Sequence, residues 1–137
     1  MQLTADEKLR AAHKNIMRDR HAYVTAGTML LGESTIVDNI PTARTDGKNK
    51  EYGREFIEKL SVKEVAGIVL HEAVHIMLRH IPRHRDLIKE NAQLANIAFD
   101  YVDNAFIRSL PSYGTTFVLP EGHLYDEQFK DMTVREV

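Results

Sequence analysis

Val65-Ala66-Gly67-Ile68-Val69-Leu70-His71-Glu72-Ala73-Val74-His75-Ile76-Met77-Leu78 is apolar, alanine or glycine at every position except His71, Glu72 and His75. A helix that is apolar all round is a buried one. On it, two histidines four residues apart point the same way, so both imidazoles can grip one metal ion. Glu72, beside the first, can then reach a water on that metal. Three ionisable groups in such a helix are costly unless something binds them. A metal is a simpler account than three side chains each satisfied by separate hydrogen bonds in a core.

Working outward, Ser61-Val62-Lys63-Glu64 is a capping box that starts this helix, with Leu60 and Val65 as its hydrophobic staple. Pro82 should end it near Ile81. Upstream, Ile40 to Thr45, Asp46-Gly47 and Lys48 to Tyr52 read as a hairpin with a tight turn, Pro41 suiting a strand edge. A helical turn covers Arg54 to Leu60. Thr4-Ala5-Asp6-Glu7 is a second capping box, and Leu9, Ala12, Ile16 and Met17 carry a helix to about Arg20. His13 and His21 should lie on its surface. Tyr23 to Leu31 reads as helix and Gly32 to Asn39 as a connection, so residues 1–35 form a helical N-terminal extension.

Downstream, Arg79, His80, Arg83, His84 and Arg85 place positive charge where it complements the helix dipole. Another helix runs from about Asn91 to Leu110, stopping at Pro111, and a short strand is expected at Thr115 to Leu119. Thr133-Val134-Arg135-Glu136 is a third capping box one residue before the end, so the natural polypeptide is expected to continue. The elements add up to an α+β, mainly helical fold. In it a small hairpin packs on the buried helix and on the antiparallel helix that follows.

The chain has 137 residues, most simply one domain. A net charge of −2 gives no support to nucleic acid or an anionic membrane as partner. No cysteine is present, which excludes thiolate-bound zinc and fits a reducing cytoplasm. Met1 to Leu9 contains no apolar signal core, and no run approaches 18 apolar residues.

A catalytic zinc site takes three protein ligands and keeps a position for water. The metzincin pattern, with Gly and His three and six residues after the second histidine, fails at Leu78 and Ile81. The helix from Asn91 offers Asn96, Asp100, Asp103 and Asn104 within roughly a 100° arc. Asn and Asp are poor mid-helix residues, so liganding rather than helix stability explains them. At 1.5 Å per residue, His71 lies about 15 Å before Ile81 and Asp100 about 14 Å after Asn91. Antiparallel packing therefore brings Asp100 level with the histidines. Asp103, Glu90, Glu121 and His123 are the other candidates.

Two segments carry a family resemblance. Gly67 to His75, followed by Leu78-Arg79-His80, and Asn96-Ile97-Ala98-Phe99-Asp100-Tyr101-Val102-Asp103-Asn104 are similar to the two site helices of a bacterial and phage family. Thr45-Asp46-Gly47, Tyr52 to Phe56, Leu119-Pro120-Glu121-Gly122 and Tyr125 extend the likeness over about residues 36 to 137. The chain resembles the putative metallopeptidase domain often found ahead of a von Willebrand A-like domain. The resemblance implies a zincin-like fold, Asp100 as third ligand with Asn104 in support, and a family that often continues beyond this point.

The expected activity is zinc-dependent hydrolysis of peptides or proteins. His71, His75 and Asp100 hold Zn²⁺, and Glu72 takes a proton from the attacking water and passes it to the leaving amine. Tyr101, Tyr113 and His123 are candidate oxyanion donors, and substrate adds to the hairpin edge between Ile40 and Tyr52. The alternative is a zinc-binding but non-catalytic module for protein interaction or assembly.

Overall fold

Two capping boxes open the two helices that meet in the core of the computed structural model, which describes residues 3–19, 32–78, 80–129 and 132–137. His21 and the helix expected at Tyr23–Leu31 lie outside the described residues. Thr4 Oγ1 accepts from Glu7 N–H at 3.2 Å while Glu7 Oε1 accepts from Thr4 N–H at 3.0 Å, and α1 runs Ala5–Arg18. Ala5, Leu9, Ala12 and Ile16 form its buried stripe. His13 is half-buried rather than on the surface, with Nδ1 2.8 Å from Leu9 O.

Ser61 and Glu64 make the same reciprocal pair at 3.2 and 3.0 Å and start α3, Val62–Met77. Between them lie strands β1, Ser34–Val37, β2, Ala43–Thr45, and β3, Lys50–Gly53, then a short helix α2, Arg54–Lys59. Lys8 of α1 donates Nζ to Glu58 O and Leu60 O, closing off carbonyls that α2 leaves unpaired at its end.

The hairpin is part of a three-stranded sheet in the order β1-β3-β2, with β1 parallel and β2 antiparallel to β3. Its turn is the longer loop 46–49 rather than a two-residue Asp46-Gly47 turn. Asp46 Oδ1 accepts from Lys48 N–H at 2.9 Å and Asn49 N–H at 2.7 Å, which spreads the reversal over more backbone. Gly47 takes φ +101°, open to glycine. Among the described residues no strand pairs with the outer edge of β2.

Helix α3 stops at Met77, earlier than Ile81, and Pro82 lies inside a separate short helix, α4, His80–Arg83. A proline ring clashes with the carbonyl four residues before it, which here belongs to Leu78, the residue that caps α3. Helices α5, Arg85–Glu90, and α6, Ala92–Ser109, follow, α6 opening with Asn91 Oδ1 accepting from Leu94 N–H. The strand expected at Thr115–Leu119 is instead loop, with one bridge between Tyr113 and Phe117. Backbone demand elsewhere accounts for this: Val118 N–H donates to Lys63 O in the first turn of α3. A Cβ on Gly67 would lie 2.0 Å from Val118 O, so glycine is what admits this segment against the helix.

The core unites α1, Tyr52, Ile57, Ile107, Phe117 and the apolar residues of α3 from Val65 to Val74. A smaller cluster of Ala95, Phe99 and Val134 seats the C-terminal turn on α6. Among the described residues no helix is long and apolar enough to cross a membrane.

Candidate metal centre

Contacts between α3 and α6 run in opposite directions along the chain: His71 meets Asn104, and His75 meets Asp100 and Phe99. The helices are therefore antiparallel, and Asp100 is level with the histidines. Asp100 Oδ1 lies 3.0 Å from His71 Nε2 and 3.2 Å from His75 Nε2, and the two Nε2 atoms are 3.0 Å apart. Ligands at 2.0–2.1 Å around a tetrahedral zinc are spaced about 3.3 Å. Two imidazole nitrogens and one carboxylate oxygen form a triangle of nearly that size, so the donor set fits such an ion.

The remaining ring nitrogens are held from behind. His71 Nδ1 is 2.9 Å from Asn104 Oδ1, and Asn104 in turn donates Nδ2 to Leu124 O at 2.8 Å. His75 Nδ1 is 2.8 Å from Asp103 Oδ2. These contacts hold a ring proton on each Nδ1 and turn both Nε2 atoms towards Asp100, so that Nε2 is the atom a metal would meet once its proton leaves. Asp103 belongs to the same four-residue group, but it meets the far side of His75. Its side chain is fully buried, whereas that of Asp100 is 36% exposed. Sequence spacing offers Asp103 only as a rival ligand. Its step of three residues from Asp100 was the one signal that it shares that face.

The charges act strongly on one another. Burial alone would lower His75, but Asp103 and Asp100 outweigh it and push the imidazole up to about 10. Burial also opposes the charge on His71, and the Asp100 carboxylate reverses that to a raised value. Burial would raise Asp100, yet the bonds from His71 and His75 hold it well below the usual carboxylate range. In the absence of metal, protons take the place of the cation that these carboxylates attract.

Glu72 is 5% exposed, and burial pushes its carboxyl up. It borders two cavities. One, of about 210 Å³, contains His71, His75, Asp100, Asn96 and the β2 residues Ala43 to Thr45. The other, of about 260 Å³, contains His71, Thr42, Phe56, Ile68 and the segment Leu119 to His123. Lys50, unremarkable in the sequence, is buried on β3, where burial lowers its ammonium and the charge of Glu72 raises it.

The other sequence candidates separate clearly. Glu121 and His123 line the second cavity without joining the four-residue group, and Glu90 lines a different cavity beside Leu94 and Val134. Tyr101 packs on Phe129, and Tyr113 packs on Phe117 while its hydroxyl accepts from Leu119 N–H. Both tyrosines are thus engaged in packing. His123 lines a cavity with Glu72, but its ring is engaged as well, Nδ1 lying 2.9 Å from Pro120 O and Nε2 3.5 Å from Arg108 Nη1.

Comparison with known families places the same residues in a wider group. The family described as "Putative metallopeptidase domain" matches residues 4–133. The chain belongs to this family. As a member it carries α1 inside the matched region, since the match begins at Thr4, well before residue 36 where the legible likeness starts. No curated protein and no solved structure matches the chain.

Proposed function

We propose that this chain is a zinc-dependent peptidase with zincin-like packing, in which His71, His75 and Asp100 hold the ion and Glu72 is the general base. The observation that carries this reading is the triangle of Nε2, Nε2 and Oδ1 atoms 3.0–3.2 Å apart, with Glu72 beside it and facing the same cavity. The family's description supports the reading. The chemistry that zinc supplies when bound is acidification of a water and polarisation of the scissile carbonyl.

The chain's own residues do the rest. Asn104 and Asp103 fix the ring orientation of His71 and His75 through their Nδ1 atoms. Glu72 takes the proton of the attacking water and returns it to the leaving amine. The edge of β2 gives an extended peptide a strand to pair with. Thr42 O accepts from Gly53 N–H of β3 and Asp46 N–H donates to Asn49 O beside it, so the alternation of an antiparallel ladder turns the backbone groups of Ala43 and Thr45 outward.

One observation favours the alternative of a zinc-binding but non-catalytic assembly module: Glu72 is almost fully buried and attracts the buried Lys50. On that reading its carboxylate serves the core. Metal content and peptide hydrolysis of purified wild type and Glu72→Gln decide the matter. A variant that keeps its zinc and loses hydrolysis supports the peptidase. Equal hydrolysis by both proteins removes Glu72 from the chemistry, and zinc-loaded wild type that cuts no peptide in a proteome-derived library favours the module.

A further inference from the structure

Lys50 stands at a position that the sheet turns inward. Residues paired across neighbouring strands point to one face of a sheet. Lys50 pairs with Ser34 of β1 and Thr45 of β2, and Tyr52 pairs with Ile36 and Ala43. Tyr52 belongs to the core, with Ile36 and Ala43 against it. The alternate residues Arg44 and Glu51 form an exposed ion pair at 2.7 Å on the opposite face. Lys50 therefore lies on the core side, and it is 1% exposed. A lysine there is costly unless an opposite charge meets it.

The facing helix supplies that charge. Helix α3 packs against β2, and Ala43 and Thr45 line one cavity together with Glu72, His71 and His75. Both inward residues of β3 feel the Glu72 carboxylate. Burial lowers the Lys50 ammonium and Glu72 raises it, while burial and then Glu72 raise the Tyr52 hydroxyl. Tyr52 thus stays neutral, which leaves Lys50 as the cation on the inner side of β3. On the α1 side, burial lowers His13 and the Lys50 charge adds to the effect, so this neighbour is uncharged at neutral pH.

We propose that Lys50 is a positioning residue for Glu72: its ammonium anchors the buried carboxylate from the sheet side and keeps it aimed at the cavity that the metal histidines line. The inference rests on the peptidase reading and adds a residue to its machinery. Stability is a weak reason for such a pair, since replacing a buried ion pair by apolar residues of similar volume is often neutral or stabilising. Orientation is a stronger one, because a misplacement of about 1 Å costs on the order of 10²-fold in rate. Asn104 and Asp103 of α6 hold the rings of His71 and His75 from behind. Lys50 does the same for Glu72 from β3.

The test compares kcat and KM of zinc-loaded wild type and Lys50→Met on an internally quenched peptide, built on a sequence that wild type cuts in a proteome-derived library. Methionine is close to lysine in shape and removes the charge. kcat should fall about 10- to 100-fold while KM and zinc content stay near wild type. In a Glu72→Gln background the same substitution should cost nothing further, because its effect passes through the carboxylate. A merely structural lysine would cost as much in both backgrounds. Wild-type kcat in folded, zinc-loaded Lys50→Met, or an equal loss in both backgrounds, overturns the role of Lys50 and leaves the peptidase reading intact. If circular dichroism shows Lys50→Met to be unfolded, a crystal structure of the zinc-loaded wild type decides. Lys50 Nζ within about 4 Å of a Glu72 carboxylate oxygen supports the anchor, and a wider gap overturns it. Absence of cleavage by zinc-loaded wild type removes the peptidase reading, and this role with it.

Discussion

Helices α3 and α6 face each other across the metal centre, but they follow opposite rules. α3 is apolar almost throughout, and its buried residues include Val65, Ala66, Val69, Leu70, Ala73 and Val74. Helix α6 turns Asp103 and Asn104 inward, at 0% and 2% exposure, while Leu94 is 61% and Ile97 37% exposed. Hydrophobicity alone orients the first helix correctly and misleads on part of the second. The physical reason is that a buried polar group is stable where a partner satisfies it. Asp103 and Asn104 find theirs in the Nδ1 atoms of His75 and His71. The apolar helix supplies a stable wall and two histidines, and the polar face of its neighbour supplies the carboxylate that meets them and the groups that orient their rings.

The sharpest way to break this pairing is through Glu72. Glu72→Gln should keep zinc, by metal analysis, and lose about 10²- to 10⁴-fold in peptide hydrolysis, the usual contribution of a general base. A smaller loss leaves α3 with its two histidines and removes Glu72 from the role of general base.

Acidity probes both helices together. Asp103 and Asp100 push His75 up to about 10, and Asp100 raises His71. A protonated imidazole must lose its proton to bind metal, so zinc affinity should fall as pH falls, by up to about a hundredfold per unit if two protons leave. Unperturbed histidines would level off above about pH 6.5. Here the affinity should keep rising through neutral pH towards the raised values. Zinc titration between pH 6 and 9 checks the slope, and a plateau above pH 7 would show that the carboxylates of α6 do not hold protons on the histidines of α3.

The polar face of α6 is tested by Asp103→Ala. Loss of the group behind His75 should cost about 10- to 100-fold in zinc affinity, measured by chelator competition. Total loss of zinc would instead make Asp103 an obligatory ligand. On α3, Gly67→Ala drives a Cβ to 2.0 Å from Val118 O and should destabilise the fold by about 1–3 kcal/mol in denaturant melts. The smallest effect belongs to the exposed apolar residue of α6. Leu94→Gln should change stability by less than about 0.5 kcal/mol. A cost of several kcal/mol would mean that this face is covered.

Local chemistry was readable residue by residue. Both capping boxes at Thr4 and Ser61 form as the sequence indicates, because each closes within one helical turn and needs no tertiary partner. The juxtaposition of Asp100 with His71 and His75 also agrees with the distance counted from the rise per residue, although α4 and α5 rather than a short connection join the two helices. Less was visible where distant backbone competes. The loop 115–119 gives up a strand to bond with Lys63 O, and nothing nearby in sequence announces that partner. Strand β1 joins the sheet by pairing in parallel with β3, a non-local contact.

The sequence by itself determined that His71, Glu72 and His75 share one face of a buried helix and that an Asn/Asp stripe follows at matching distance. Helical periodicity and burial are properties of short segments, so they can be read there. Only the tertiary structure decided that Asp100 approaches both Nε2 atoms while Asp103 stands behind His75. The two residues are one helical turn apart, and the rotation of α6 against α3, fixed by packing along its whole length, selects which carboxylate faces which nitrogen.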